Sequence, residues 1–258
     1  MVDIERRVFG CDYGSTSWTT REDAQRIARM LNLSSDMRVL DVGSGSGWPA
    51  LFWARLTGCA VVLTDVPLDA LRVASDRAEQ DQLTSRCWFV AADAAALPFP
   101  DATFDAITHS DVLCCLPLKA AVLATCRRLI RANGVMAFTV ISITPGLSEA
   151  DRLRAIDSGP PFIDSAVDYL SMLQDANWQV ADRLDVTPQY GAAVRRLLKE
   201  EESRREDLVE LLGPEEYSQR LVQRRRAAKA VEAGLIQREF FRAVPQDQAG
   251  PAHFADEA

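Results

Sequence analysis

Histidine is scarce in this chain, with only His109 and His253, and none of its six cysteines (Cys11, Cys59, Cys87, Cys114, Cys115, Cys126) forms a CxxC pair. So few ligands at such spacing argue against a structural zinc site, and scattered thiols suit a reducing compartment. No metal is therefore expected. Basic charge is in deficit as well: 29 Lys and Arg against 37 Asp and Glu give a formal net charge of −8. A nucleic-acid binder ordinarily shows a basic stripe, so nucleic acid is not an expected partner. No run of about 18 uninterrupted apolar residues occurs, which removes the transmembrane helix and the membrane from the expected partners. The opening MVDIERRVFG has no apolar h-region, so no signal peptide is expected and the cytoplasm is the expected location.

Apolar residues are plentiful, at 48% of the chain, enough for a packed core. MRVLDV, CAVVLTD, CWFVAAD, FDAITHS and GVMAFTVIS are short β-branched or apolar runs, and helical stretches such as WPALFWARL, LDALRVASDRAEQ and LKAAVLATCRRLI lie between them. Pro49 fits WPALFWARL only in a first helical turn. Strands alternating with helices predict βαβ units. Further on, IDSAVDYLSMLQDAN reads as a helix, WQVADRLDV and LIQREFFRAV as strands, and 191–233 as a charged helical stretch broken once, at Gly213-Pro214, into two helices. The expected architecture is α/β: a Rossmann-like, doubly wound, mostly parallel seven-stranded sheet with helices on both faces and a helical insertion before the last strand. One domain spans 1–244, with its ligand-binding core at 36–142. The polar 245–258, PQDQAGPAHFADEA, reads as a disordered tail.

The residues that carry chemistry begin at VLDVGSGSGWPA, 39–50. A dinucleotide loop wants G-x-G-x-x-G, and counting from Gly43 the third glycine position is Trp48, bulky where strand and helix must approach. The glycines run Gly43, Gly45, Gly47 instead. Asp41, two residues before the first, would repel a pyrophosphate and attract a cation. Asp65 ends the second strand, where an acid accepts ribose hydroxyls. Asp93 ends the third, where it suits an exocyclic adenine amine, with the Ala94 backbone N–H beside it. Strand ends of this kind share the carboxyl edge of an open sheet, beside its ligand crevice. A cationic head group, a ribose and an adenine in that order describe S-adenosylmethionine. The bland alternative for Asp41 is a loop-satisfying acid. A short-chain dehydrogenase is excluded, since the four tyrosines are followed four residues on by Ser17, Leu173, Val194 and Leu221 rather than lysine.

Residues 36–142 resemble a class I S-adenosylmethionine-dependent methyltransferase through VLDVGSGSG, the acid of VVLTD, VAADAAALPFPDATFD, and ITHSDVLCCL followed by RRLIRANGVMAFTV. GWPA after the glycines and YGSTSWTT before the first helix are similar to the subgroup that methylates small metabolites and natural products. The resemblance implies S-adenosyl-L-methionine as cofactor, with Tyr13 and Gly14 closing over its methionine end. Asp41, Gly43, Gly45, Gly47, Asp65, Asp93 and Ala94 would hold it, and Ser44, Val66, His109 and Ser110 would complete the contacts. The implied partner is a small organic acceptor, methylated on O, N or C by in-line displacement, and a homodimer is allowed. A cofactor-binding module without chemistry and an aminopropyl-type transferase stay open as alternatives.

His109 and Asp111 are the candidate catalytic residues. They sit just past the fourth strand, where a histidine can act as a base near neutrality and an acid can orient an amine. The plainer alternatives for His109 are a histidine bonded to backbone and one whose own backbone merely contacts the cofactor. Many relatives carry histidine at the position of Cys115, so this chain departs from them there, and Cys114-Cys115 are also readable as small packing residues. The segment HSDV also lacks the Asn/Asp-Pro-Pro-aromatic stretch common in amino-methylating enzymes of DNA and RNA. The insertion 191–233 reads either as a lid or as helices with a solvated charged face. Trp18, Phe162, Tyr169 and Tyr190 are candidates for an apolar acceptor pocket or ordinary core.

Overall fold

In the computed structural model, residues 2–11 and 17–246 are described. Two N-terminal helices, α1 (Val2–Phe9) and α2 (Arg21–Met30), precede a Rossmann-like alternation: β1 (Arg38–Val42), α3 (Ala50–Thr57), β2 (Ala60–Asp65), α4 (Leu68–Gln80), β3 (Cys87–Ala91), β4 (Phe104–Ser110), α5 (Lys119–Leu129) and β5 (Ile130–Ile143). Then follow α6 (Glu149–Ser158), α7 (Tyr169–Asp175), β6 (Trp178–Asp185), α8 (Thr187–Ser203), α9 (Arg205–Leu212), α10 (Pro214–Glu232) and β7 (Ile236–Pro245). The helix α1 has no counterpart in the sequence expectations. The strand order is β3-β2-β1-β4-β5-β7-β6. The first five strands pair in parallel, and β7 runs antiparallel to both β5 and β6.

The parallel strands are sandwiched between helical layers, so β1 and β4 are almost wholly buried, which is why they read as continuous apolar runs. The order reverses between β1 and β4, and the crevice of an open α/β sheet opens at that switch point. Side chains fix how α2 enters. Thr20 Oγ1 accepts from Asp23 N–H at 3.1 Å and the Asp23 carboxylate accepts from Thr20 N–H at 3.2 Å, a reciprocal capping box. The indoles of Trp48 and Trp53 donate to the carbonyls of Thr19 and Ala24, both at 2.8 Å, and so tie the N-terminal segment to α3.

Several sequence expectations are corrected. Pro49 lies at the N-cap of α3 rather than inside its first turn. The insertion begins at Thr187 and forms three helices, because the chain breaks at Arg204 (φ −116, ψ 37) as well as at Gly213. Its charged sequence does not form a wholly solvated face: Glu201 is fully buried in α8, and Arg220 of α10 donates to it at 2.7 Å. Pro245 closes β7 rather than opening a tail, and the remainder of the expected tail, 247–258, lies outside the described residues, as do Tyr13 and Gly14. Among the described residues no helix is long and apolar enough to cross a membrane.

Candidate active site

The carboxyl ends of β1, β2 and β4 surround a cavity of about 350 Å³, within the range of small-molecule sites, roughly 300–1,000 Å³. Its walls include Asp41, Gly43, Ser44, Gly45, Asp65, Ser110 and Asp111, with Ser17, Trp18, Trp48 and Cys115 around them. Sequence segments 24 to 70 residues apart thus meet because parallel strands bring equivalent ends to one edge.

The glycine loop is held by its own backbone. Gly43 and Ser44 donate to the carbonyl of Thr64 at 2.8 and 3.0 Å, and Arg77 donates to the carbonyl of Ser46 at 2.6 Å. Gly43 has φ 67, and a Cβ there would come within 2.5 Å of Val112 Cγ2. Glycine is required both for that left-handed conformation and for the close approach of the loop after β4. Asp65 completes the loop from β2: its oxygens accept from Gly45 N–H and Val66 N–H, both at 2.7 Å.

Asp41 is different. It is 2% exposed, and its Oδ2 has no hydrogen-bond partner although it is buried against the cavity. Burial pushes its carboxyl well above the usual carboxylate range, and the nearby Asp65 adds to the shift. The hydroxyls of Ser44 and Ser110 are buried without partners on the same walls. Buried polar groups are nearly always paired, so this cluster has the form of a site completed by a ligand carrying a cation and hydrogen-bonding groups.

Asp111 also faces the cavity, with its backbone at φ 57. Both oxygens of its carboxylate accept from Arg238 of β7: Nε donates to Oδ1 at 3.0 Å and Nη2 to Oδ2 at 2.8 Å. Arg238 is 1% exposed and also donates to Thr139 Oγ1 at 3.0 Å and to the Trp18 carbonyl at 3.4 Å. Sequence reasoning missed Arg238. In LIQREFFRAV it resembles one of the charged outward positions of an edge strand, and nothing local marks it otherwise.

His109 is not brought to the cavity. The ring is fully buried, stacks on Phe138 at 4.5 Å, and does not line the cavity. Both ring nitrogens lack partners, and burial drives its pKa down to about 3. Adjacent strand residues face opposite sides of a sheet, so Ser110 reaches the cavity while His109 packs beneath it. Val66, 67% exposed, along with Gly47, Asp93 and Ala94, lies outside the lining. Asp93 caps a single helical turn, accepting from Ala95 N–H at 2.9 Å. Of the four aromatic candidates, Trp18 lines the cavity and Tyr190 packs edge-on behind it, at 5.1 Å. Phe162 is 42% exposed, and Tyr169 lines a second cavity of about 260 Å³ with Phe241, Arg183 and Glu239. Cys114 is buried, but Cys115 is exposed at the cavity wall, so the pair is not simply packing.

The methyltransferase-domain family matches residues 40–138, the stretch that contains Asp41, Asp65, Asp93 and Asp111. This stretch is similar to a methyltransferase domain. The domain and its flanks are 32% identical over 168 residues to 27-O-demethylrifamycin SV methyltransferase of Amycolatopsis mediterranei (strain S699), covering 63% of this chain and 61% of the relative. Methyltransferase GfsG of Streptomyces halstedii is 32% identical over 169 residues, covering 60% of this chain and 61% of the relative. The aligned chain thus spans about three fifths of the length of these relatives. A solved structure of phosphoethanolamine N-methyltransferase 2 from Haemonchus contortus, in complex with S-adenosyl-L-methionine, superposes with a TM-score of 0.81 at 17% identity, covering 95% of this chain and 57% of the other. That likeness shows the fold.

Proposed function

We propose that the protein transfers a methyl group from S-adenosyl-L-methionine to a small organic acceptor. The observation that carries this is the unpartnered, buried carboxylate of Asp41 beside a glycine loop whose Cβ space is closed. When bound, the cofactor supplies a methyl group already activated on a sulfonium, so the protein need only orient it.

In this reading Asp41 takes the ammonium of the methionine end, and Ser44 and Ser110 satisfy their hydroxyls on its polar atoms. Asp65 keeps lone pairs beyond its two backbone donors, which suit the ribose hydroxyls. Exposed Val66 covers one face of the adenine, and Asp93 with Ala94 meets its amino edge. Among the described lining residues there is no histidine, lysine or arginine. Acceptor alignment, which alone supplies up to about 10 kcal/mol, is then the main catalytic device, and deprotonation falls to solvent or to the acceptor itself. Trp18, with Arg224 of α10 over its ring at 5.0 Å and Tyr190 of α8 at its edge, joins the insertion to the cavity wall. We assign α8–α10 as the lid. Relatives that act on a rifamycin intermediate and on phosphoethanolamine support a small acceptor, and six free thiols with a net charge of −8 fit the cytosol and a partner other than nucleic acid. Calorimetry tests the reading. S-adenosylmethionine and S-adenosylhomocysteine should bind in the micromolar range, with binding lost in Asp65→Ala; a folded wild-type protein that binds neither overturns it.

A further inference from the structure

The wall formed by Asp111 is electrostatically unlike that formed by Asp41. The cavity already presents carboxylates from Asp41 and Asp65, with no cationic side chain among its described lining. A third bare carboxylate would add a strong negative field at a site meant for a sulfonium. In water-excluded surroundings a charge several ångströms away acts with far more force than in bulk solvent. The sulfonium is positive before transfer and becomes a neutral thioether afterwards. Negative field therefore stabilises the ground state more than the transition state, which slows the step.

Arg238 removes that field. We propose that Arg238 is a positioning residue that cancels the charge of Asp111 on the wall facing the sulfonium, while its planar fork fixes the carboxylate for use as an acceptor-orienting group. The proposal rests on the functional reading above. Its geometry is that of a bidentate pair, the arrangement in which arginine specifies both charge and orientation. The pair is buried on both sides, with 2% and 9% of the two side chains exposed. Each oxygen of Asp111 gives one acceptor direction to Arg238 and keeps another for a hydroxyl or amine hydrogen. The left-handed backbone of Asp111 is closed by its N–H donating to the Thr139 carbonyl at 2.9 Å. Arg238 also binds the Thr139 hydroxyl and the Trp18 carbonyl, so one guanidinium sets the position of three wall elements. Asp111 holds Arg238 firmly protonated despite its burial.

The test is the ratio of affinities for S-adenosylhomocysteine and S-adenosylmethionine, measured by calorimetry at low ionic strength. These ligands differ chiefly in the methyl and the positive charge, so loss of packing alone weakens both together. Arg238→Met leaves Asp111 bare and should raise the preference for the cationic ligand about tenfold; Asp111→Asn leaves Arg238 bare and should lower it about tenfold. The double variant should return to within about threefold of wild type, as should Arg238→Lys, which keeps the charge. Circular dichroism and thermal melting establish which variants fold. Should Arg238→Met not fold, Asp111→Asn and the double variant carry the decision. An unchanged ratio in folded Asp111→Asn, or ratios that move the same way in both single variants, overturns the proposal. A wild-type protein that binds neither ligand is a different result, because it overturns the functional reading as well.

Discussion

Asp41 and Asp111 both line one cavity, each just at or beyond the carboxyl end of a central strand, and they are treated in opposite ways. Asp41, on the β1 side, is buried with an oxygen that nothing satisfies. Asp111, on the β4 side, is held at both oxygens by Arg238. A buried carboxylate without a partner costs several kcal/mol unless it takes up a proton or meets a cation. The folded chain therefore leaves one carboxylate unsatisfied and neutralises the other. What an acid does in a site depends less on where its strand ends than on which groups already satisfy it.

The contrast breaks first at Asp41. Asp41→Asn should weaken S-adenosylmethionine binding by about 100-fold or more, since the ammonium loses a buried, charged partner worth about 2–5 kcal/mol. The same substitution should leave the ligand-free protein at least as heat-stable as wild type, because it removes an unpaired acid. Calorimetry and melting curves check both, and a binding loss below tenfold contradicts the role given to Asp41. Gly43→Ala comes next. Its Cβ would press on Val112 at a left-handed backbone position, so it should cost about 1–3 kcal/mol of stability, read as a lower denaturant midpoint, and narrow the cavity enough to weaken both ligands alike.

A pH series sharpens the comparison further. The Asp41 carboxyl is raised by burial and by Asp65, so it is protonated at low pH in the folded chain and cannot pair with an ammonium. Cofactor affinity should rise with pH through its titration, by up to about tenfold per pH unit. Stability of the ligand-free protein should move the other way. Between the ordinary carboxylate pKa and the raised folded value, the folded state keeps a proton that the unfolded state has released, so stability falls as pH rises through that window. Asp41→Asn should flatten both slopes.

The smallest effect belongs to His109. His109→Phe should change cofactor affinity by less than about twofold, because the ring does not reach the cavity and makes no hydrogen bond that phenylalanine would lose. With a folded pKa of about 3, the wild-type histidine stays neutral where the unfolded chain protonates. It therefore lowers stability increasingly as pH falls below about 6.5. The variant should gain in melting temperature relative to wild type as the pH is taken from 7 toward 4. A large loss of cofactor binding would return His109 to the site.

The elements from β1 to β5 were legible because the central parallel strands are covered on both faces and read as apolar runs between turn residues. Asp41, Gly43 and Asp65 were legible with them, because strand ends and glycines mark the edge where ligands bind. The second half was less so. Arg238 and Glu201 are fully buried charges in segments whose local pattern is that of a solvated face, and their partners lie 127 and 19 residues away. The placement of the His109 ring away from the cavity was not legible, because proximity in sequence to the strand end says nothing of which side of the sheet a side chain takes. The additional break in the insertion, at Arg204, has no proline or glycine to announce it.

The chain by itself determined the βαβ alternation, the acids at or just past four strand ends (Asp41, Asp65, Asp93 and Asp111) and the glycine loop after the first strand. Local propensity, the period of apolar residues and the conformational freedom of glycine depend only on neighbours in sequence. Tertiary structure alone decided which of those acids stays bare, which is neutralised, and which candidate side chain turns away from the cavity. Charge compensation across 127 residues is a matter of distance in space, and burial sets its strength.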